Sequence, residues 1–395
     1  MKITSIDIYE VLGPQMAKTR WKPVIIKVNT DEGISGFGEV GLAYGAGSAA
    51  GAGMVKELAR YVIGMDPMNV EQIWEKLFRK TFWGMGGGGV IFGGISAIDI
   101  ACWDIRGKAL GLPLYVLLGG KMRDKLRTYA SQIQFDWGKD NNRNLIEPAE
   151  YAEAALRAVA DGYDAVKVDV VCLNSAGQYA AESLEGILTN AQLRLFVNRV
   201  KAIREAVGPD VDIILEQHSF LGVNSAIQFA RAVEEYDIFF YEEPIHPLNV
   251  DAMALVARST SIPIASGERI YSRWGYRPFF EKQALGVIQP DLGLVGGITE
   301  CKKVCDMAHI YDVQVQCHAC GSPIITAASL HMEAVLPNFI IHENHRYNLL
   351  DHNIELCKYD YQARDGFYEV PNLPGIGQEM SEKAMRESAC SHITE

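Results

Sequence analysis

The sequence predicts an α/β fold, a (β/α) barrel of TIM type with an α+β capping domain built from the N-terminal segment and the C-terminal tail. Three observations carry this prediction. From Leu126 onward, short apolar runs of strand length alternate with helical segments, and eight such runs can be counted, the number that closes a parallel barrel. The first 125 residues lack that rhythm and read as an antiparallel meander followed by helices. In the middle of the chain, acidic residues appear just past three hydrophobic runs, IILEQHS, IFFYEEP and PIASGER. Parallel strands joined by helices aim their carboxyl ends at one face, so Glu216, Glu242 and Glu268 are expected to converge despite their separation in sequence.

The elements follow in order. ITSIDIYEVL and VIIKVNTDEGISGFGEVG alternate like paired antiparallel strands, with Asp31-Glu32-Gly33 as the turn. Helical periodicity covers residues 54–63 and 70–78, a strongly amphipathic stretch 94–107, and 114–118. Two glycine-rich segments, 45–53 and 84–89, interrupt this domain. Neither is a phosphate loop, since no Lys-Ser/Thr follows; they read as connections or as a mobile flap over a pocket. Barrel strands are expected at 127–131, 165–169, 212–216, 238–242, 263–266, 286–289, 313–317 and 339–342. Helices fill 147–161, 191–207, 225–236, 251–259, 277–282, 298–311 and 323–334. The resulting domains are a capping segment 1–125, a barrel 126–354 and a tail 355–395 that packs back on the capping domain, leaving the termini close.

Composition narrows the function. With 37 Lys and Arg against 49 Asp and Glu the net charge is −12, which disfavours a nucleic-acid or anionic-membrane partner. No apolar run approaches bilayer length and the N-terminus lacks a signal-peptide core, so the cytoplasm is the expected compartment. Eight cysteines lack the dense spacing of a stapled domain and read as buried thiols. Cys317-His318-Ala319-Cys320 could be half a zinc site with Cys301 and Cys305 on a helix, but core thiols are the plainer reading.

Polar residues at the carboxyl ends of barrel strands are the chemical ones. In order they are Lys167 and Asp169, then Glu216 and His218, Glu242, Glu268, Asp291, His318 and Glu343. Three bare carboxylates need a counter-charge, and an all-oxygen site suits Mg2+ first and Mn2+ next. Such an array suggests proton abstraction next to a carboxylate, with the cation stabilising the enediolate and Lys167 adding positive charge. His318 and Asp291 form a plausible base dyad, Glu343 could hydrogen-bond the enediolate if held protonated, and His218 could protonate a departing group. The plainer alternatives are that Lys167 caps a strand against Asp169 and that His246, His309, His331 and His392 are structural. Of Glu242 and Glu243 only one can face the barrel mouth, because consecutive strand residues point opposite ways.

TDEGISGFGE, AIDIACWDIRGKALGLPLYVLLGG, YEEP, GERIYSRW, IQPDLGLVGGITECKKV and QCHACGSP together resemble the enolase superfamily, in its mandelate racemase subgroup, and are most similar to galactonate-dehydratase-like acid-sugar dehydratases. The resemblance covers nearly the whole chain. It implies a modified, enolase-like barrel with Mg2+ on Glu216, Glu242 and Glu268, a His318–Asp291 base, Glu343 as the enolate-stabilising acid and His218 as the general acid. It also implies substrate contacts from Arg20, Trp21, Tyr44, Trp83 and Arg269, and a homo-oligomer, up to an octamer. Racemases of the subgroup carry a second lysine where this chain has Asp169, which argues for dehydration over proton transfer between faces. Most relatives have Asp at the Glu216 position. Residues 172–193 form a long insertion, and 135–148 a long loop. The reaction so implied is loss of water from an aldonate or aldarate to a 2-keto-3-deoxy acid. The nearest alternatives are an acid-sugar epimerase or cycloisomerase, and, from another class, a metal-binding barrel without turnover.

Overall fold

The computed structural model describes residues 1–11, 21–179 and 184–394. Its first three strands, β1 (Ile3–Glu10), β2 (Val24–Thr30) and β3 (Ser35–Val40), form the expected antiparallel meander. Gly33 makes the β2–β3 turn at φ 76°, its N–H donating to Thr30 O, a conformation that favours glycine. Helices Ser48–Val62, Val70–Lys80 and Gly89–Leu110 follow. The last was expected to be amphipathic but is buried nearly all round, because it lies between β3, the helix Ser48–Val62 and the barrel helix Gly297–Ile310. Glycine makes that closeness possible: a Cβ on Gly38 would sit 2.0 Å from the carbonyl oxygen of Ala97.

The barrel strands are β4 (Lys125–Ser131), β5 (Ala165–Val168), β6 (Asp212–Glu216), β7 (Ile238–Glu242), β8 (Ile264–Ser266), β9 (Val287–Ile288), β10 (Gln314–Val315) and β11 (His342–His345). All pair in parallel, in the order β10-β9-β8-β7-β6-β5-β4-β11. Val315 bridges to Phe339 just before β11, which joins the two edges. The eighth strand therefore differs from expectation: the apolar run 339–341 makes one bridge to β10, and the ladder to β4 is formed by the polar residues His342–His345. Those side chains face a polar barrel mouth and a buried wall, so hydrophobicity did not mark the strand.

The C-terminal tail divides. β12 (Phe367–Glu369) lies antiparallel on β4, while β13 (Ala389–Ile393) joins the meander beside β1, pairing Ile6 with Ile393. No helix among the described residues is long and apolar enough to cross a membrane.

One apolar layer fills the lumen: Tyr129, Ala165, Ile214, Phe240, Ala265, Val287 and Ile341. Side chains two residues apart on a strand share a face. One step toward the mouth therefore come Ser131, Lys167, Glu216, Glu242, Gln289 and Glu343, and one step further Asp169, His218, Asp291 and His345. This layering positions the site.

Candidate active site

In the lower polar layer Lys167 is the hub. Its buried Nζ lies 2.9 Å from Glu242 Oε1, 2.9 Å from Glu343 Oε1 and 3.3 Å from Glu216 Oε2. It does not cap against Asp169, which belongs to the layer above. Burial opposes the ammonium charge, but Glu242 and Glu343 outweigh it and raise the Lys167 pKa. Burial also opposes ionisation of Glu343, yet Lys167 and His318 hold it well below the usual carboxylate range. Glu343 is thus an acceptor, taking hydrogen bonds from Ser131 Oγ at 2.7 Å and Ala319 N at 3.0 Å. The condition for its donating to an enediolate, a retained proton, is opposed in this arrangement by the lysine that sits on it. Glu242 is the carboxyl pushed up, by burial and by the adjacent Glu216.

Two histidine–carboxylate pairs occupy the upper layer. Asp291 Oδ2 lies 2.7 Å from His318 Nδ1, and Asp169 Oδ2 lies 2.6 Å from His218 Nδ1. Each ring is oriented by its acid, leaving Nε2 for chemistry. His318 Nε2 is 2.9 Å from Glu268 Oε2. Burial works against its positive charge, but Glu268 and Asp291 hold it well above the ordinary imidazole value. Burial likewise opposes charge on His218, and Glu216 with Asp169 still push it up to about 10. Asp169 is itself fixed, accepting from Val171 N at 3.0 Å and Cys172 N at 2.9 Å.

The turn after β6 presents these groups. Glu216 Oε1 accepts from the backbone N–H of Gln217 and His218, and both His218 and Ser219 have positive φ, 43° and 59°. Left-handed non-glycine residues cost energy and persist where surrounding contacts over-determine them. Glu243, also at positive φ, turns away from Glu242 and pairs with Arg269, which also donates to Ser219 Oγ at 2.8 Å. Arg269 is thereby committed to the rim of the site.

The carboxylates match a hard cation by donor chemistry and by charge. Among the described residues, Asp169, Glu216, Glu242, Glu268, Asp291 and Glu343 outnumber Lys167, His218, His318 and Arg269, the possible cations that pair with them, and the raised Glu242 pKa is one response to that surplus. Among the described residues no three such side chains stand as a ready ligand cluster, because Lys167 and His318 hold the oxygens of Glu242 and Glu268.

The predicted substrate-contact residues scatter. Trp21 is buried and stacks on Tyr347 at 4.2 Å; Tyr44 is half exposed and bridges to Trp21 through the backbone. Trp83, 72% exposed, packs edge-on against Phe82. Arg20 lies outside the described residues. All eight cysteines are free, and Cys301, Cys305 and Cys317 are buried core thiols. Sequence reasoning passed over His345; the available signal was its place two residues beyond Glu343 on one strand face.

Comparison with known proteins bears on this arrangement. Residues 15–119 match the mandelate racemase / muconate lactonizing enzyme N-terminal domain, and residues 150–384 the enolase C-terminal domain-like family. The chain is 35% identical over 399 residues to a D-galactonate dehydratase of Ralstonia nicotianae, covering 99% of this chain and 95% of that protein. It is 35% identical over 356 residues to a D-xylonate dehydratase of Haloferax volcanii, covering 90% of this chain and 82% of that protein. A solved member of the enolase superfamily from Salmonella Typhimurium superimposes with a TM-score of 0.97 at 58% identity, covering 99% of each chain.

Proposed function

This chain belongs to the mandelate racemase and muconate lactonizing enzyme family of the enolase superfamily, and from that premise we propose that it is a Mg2+-dependent sugar-acid dehydratase. The observation that carries the reading is the pair of histidine–carboxylate couples, His318–Asp291 and His218–Asp169, standing above one buried acid set. One base and one separate acid are what removal of a C–H proton and of a neighbouring hydroxyl require.

Glu216, Glu242 and Glu268 would hold the cation. When bound, it supplies positive charge beside the substrate carboxylate, lowering the cost of ionising the adjacent carbon. With Glu268 turned to the cation, His318 would lose the partner that favours its charged form, and the neutral ring's Nε2 then accepts the proton from C2. Asp291 keeps the imidazole oriented and stabilises it as it charges. His218 enters the cycle protonated and gives its proton to the C3 hydroxyl, which leaves as water. The C2–C3 enol then tautomerises to the 2-keto-3-deoxy acid. Asp169, where a racemase would have a second lysine, serves His218 instead, which favours elimination over proton return from the opposite face. Lys167 stays beneath the site and keeps the lower carboxylates from crowding it with charge.

The relatives named as D-galactonate and D-xylonate dehydratases point to aldonates. Offering D-galactonate, D-xylonate and an aldarate panel with MgCl2 is expected to yield a 2-keto-3-deoxy acid from at least one. An epimer without keto acid, or a lactone, would replace the reading by epimerase or cycloisomerase.

A further inference from the structure

His345 is a member of the upper site layer to which nothing above assigns work. Its strand places it there: in β11 it pairs with Ser131 while Glu343 pairs with Tyr129, whose ring lies under Lys167 Nζ at 5.4 Å. Tyr129 and Ser131 therefore mark the lumen face of β4, and Glu343 and His345 mark that of β11. Glu343 is engaged by Lys167 below, so His345 lies one step nearer the mouth, and Glu343, Lys167 and His318 are all near enough to bear on its charge.

Its ring is fixed on the Nδ1 side. Nδ1 accepts the backbone N–H of Tyr347 at 3.2 Å, so the ring proton is on Nε2. The ring stacks on Tyr347 at 5.0 Å and 8°, and Tyr347 stacks on Trp21 of the capping segment at 4.2 Å and 13°. Burial keeps the imidazole neutral, lowering its pKa to about 3. A neutral N–H donor next to an aromatic wall suits a hydroxyl on a polyol chain, whose C–H faces pack on rings while its oxygens seek donors.

Resting on the dehydratase reading, we propose that His345 is a substrate-binding residue whose Nε2–H donates to a hydroxyl of the sugar acid's distal chain, against the His345–Tyr347–Trp21 stack. This makes it a determinant of which acid sugar is accepted.

Two variants separate binding from a purely local structural role. In His345→Asn the side-chain oxygen can still accept from Tyr347 N–H, but the reach to the Nε2 position is lost. In His345→Gln the amide nitrogen can occupy the Nε2 position, while the acceptor for Tyr347 is lost. The proposal expects His345→Asn to raise KM for the turned-over aldonate roughly tenfold, the loss of about one hydrogen bond, with kcat changed much less. His345→Gln should recover most of that KM. D-galactonate and D-xylonate are the first substrates to use, with thermal melting of each variant as the folding check. The reverse pattern, His345→Asn unchanged and His345→Gln impaired, would make the histidine a cap and overturn the proposal. So would an unchanged KM in both. Wild-type protein that dehydrates neither an aldonate nor an aldarate would remove the dehydratase reading and this proposal with it, whereas activity with an unmoved KM removes this proposal alone.

Discussion

Replacing Lys167 by Met tests the electrostatics of the lower layer. The two side chains are of similar length, so the change removes charge more than volume. In the wild type the ammonium meets Glu242 and Glu343 at 2.9 Å and Glu216 at 3.3 Å, all buried. At an effective dielectric near 20, each contact is worth about 5 kcal/mol of gross attraction. Much of that offsets the cost of taking the charges out of water, and stripping one partner from such a buried set costs about 3 to 5 kcal/mol. The loss should depend on pH. Without the lysine the buried carboxyls have folded-state pKa values raised above their unfolded values, so their stability is retained at low pH and lost as pH rises through the raised values. Urea unfolding without divalent cations is therefore expected to show a difference of about 3 to 5 kcal/mol between wild type and variant at pH 8, and a clearly smaller one at pH 5.5. A difference under about 1 kcal/mol at pH 8, the size of a surface pair, would refute the claim that these carboxylates depend on Lys167.

Two further outcomes are expected. Asp99, in the helix Gly89–Leu110, accepts from Thr299 N and Oγ1, yet burial pushes it from an ordinary 3.8 up to about 7. A raised carboxyl contributes stability at low pH that is lost as pH rises through the folded value, here on the order of 4 kcal/mol between pH 4 and pH 7. Asp99→Asn should flatten that part of the pH–stability profile in urea titrations, and parallel profiles would count against it. Removing divalent cations with EDTA should abolish product formation and lower the melting temperature, and Mg2+ at a hundred times its Kd should restore about 2.7 kcal/mol. Glu216→Gln and Glu242→Gln should weaken that thermal response, and a melting temperature indifferent to Mg2+ would contradict cation binding at these residues.

Much of the fold is readable from periodicity. The boundaries of β6 and β7 follow from IILE and IFFYE, because those runs are apolar up to their lumen-facing glutamates. What periodicity missed has physical causes. Helix Ser48–Val62 begins earlier than its apolar pattern because Gly51 and Ala52 pack as small residues against the meander, with a Cβ on Gly51 meeting Val40 at 2.6 Å, not because glycine breaks the helix there. β8, β9 and β10 span three residues or fewer, so the runs 286–289 and 313–317 overstate the paired length. In the site, strand ends paired His318 with Asp291 and placed His218 and Asp169 near the mouth, but that these two form a second couple emerged only from the structure. The sequence could not show that Lys167 is shared among three carboxylates, that Glu268 rests on His318, or that Lys167 holds Glu343 below the usual carboxylate range, because all three depend on which side chains cross the lumen to meet.

The claim that His318 removes the C2 proton and His218 expels the hydroxyl is tested most directly by following deuterium uptake at C2 of the turned-over aldonate in D2O alongside 2-keto acid formation. His318→Asn is expected to abolish both. His218→Asn is expected to keep the exchange while product formation falls by a factor of about 10² to 10⁴. Exchange that persists in His318→Asn, or equal loss of both signals in His218→Asn, would contradict the division of labour between the two histidines.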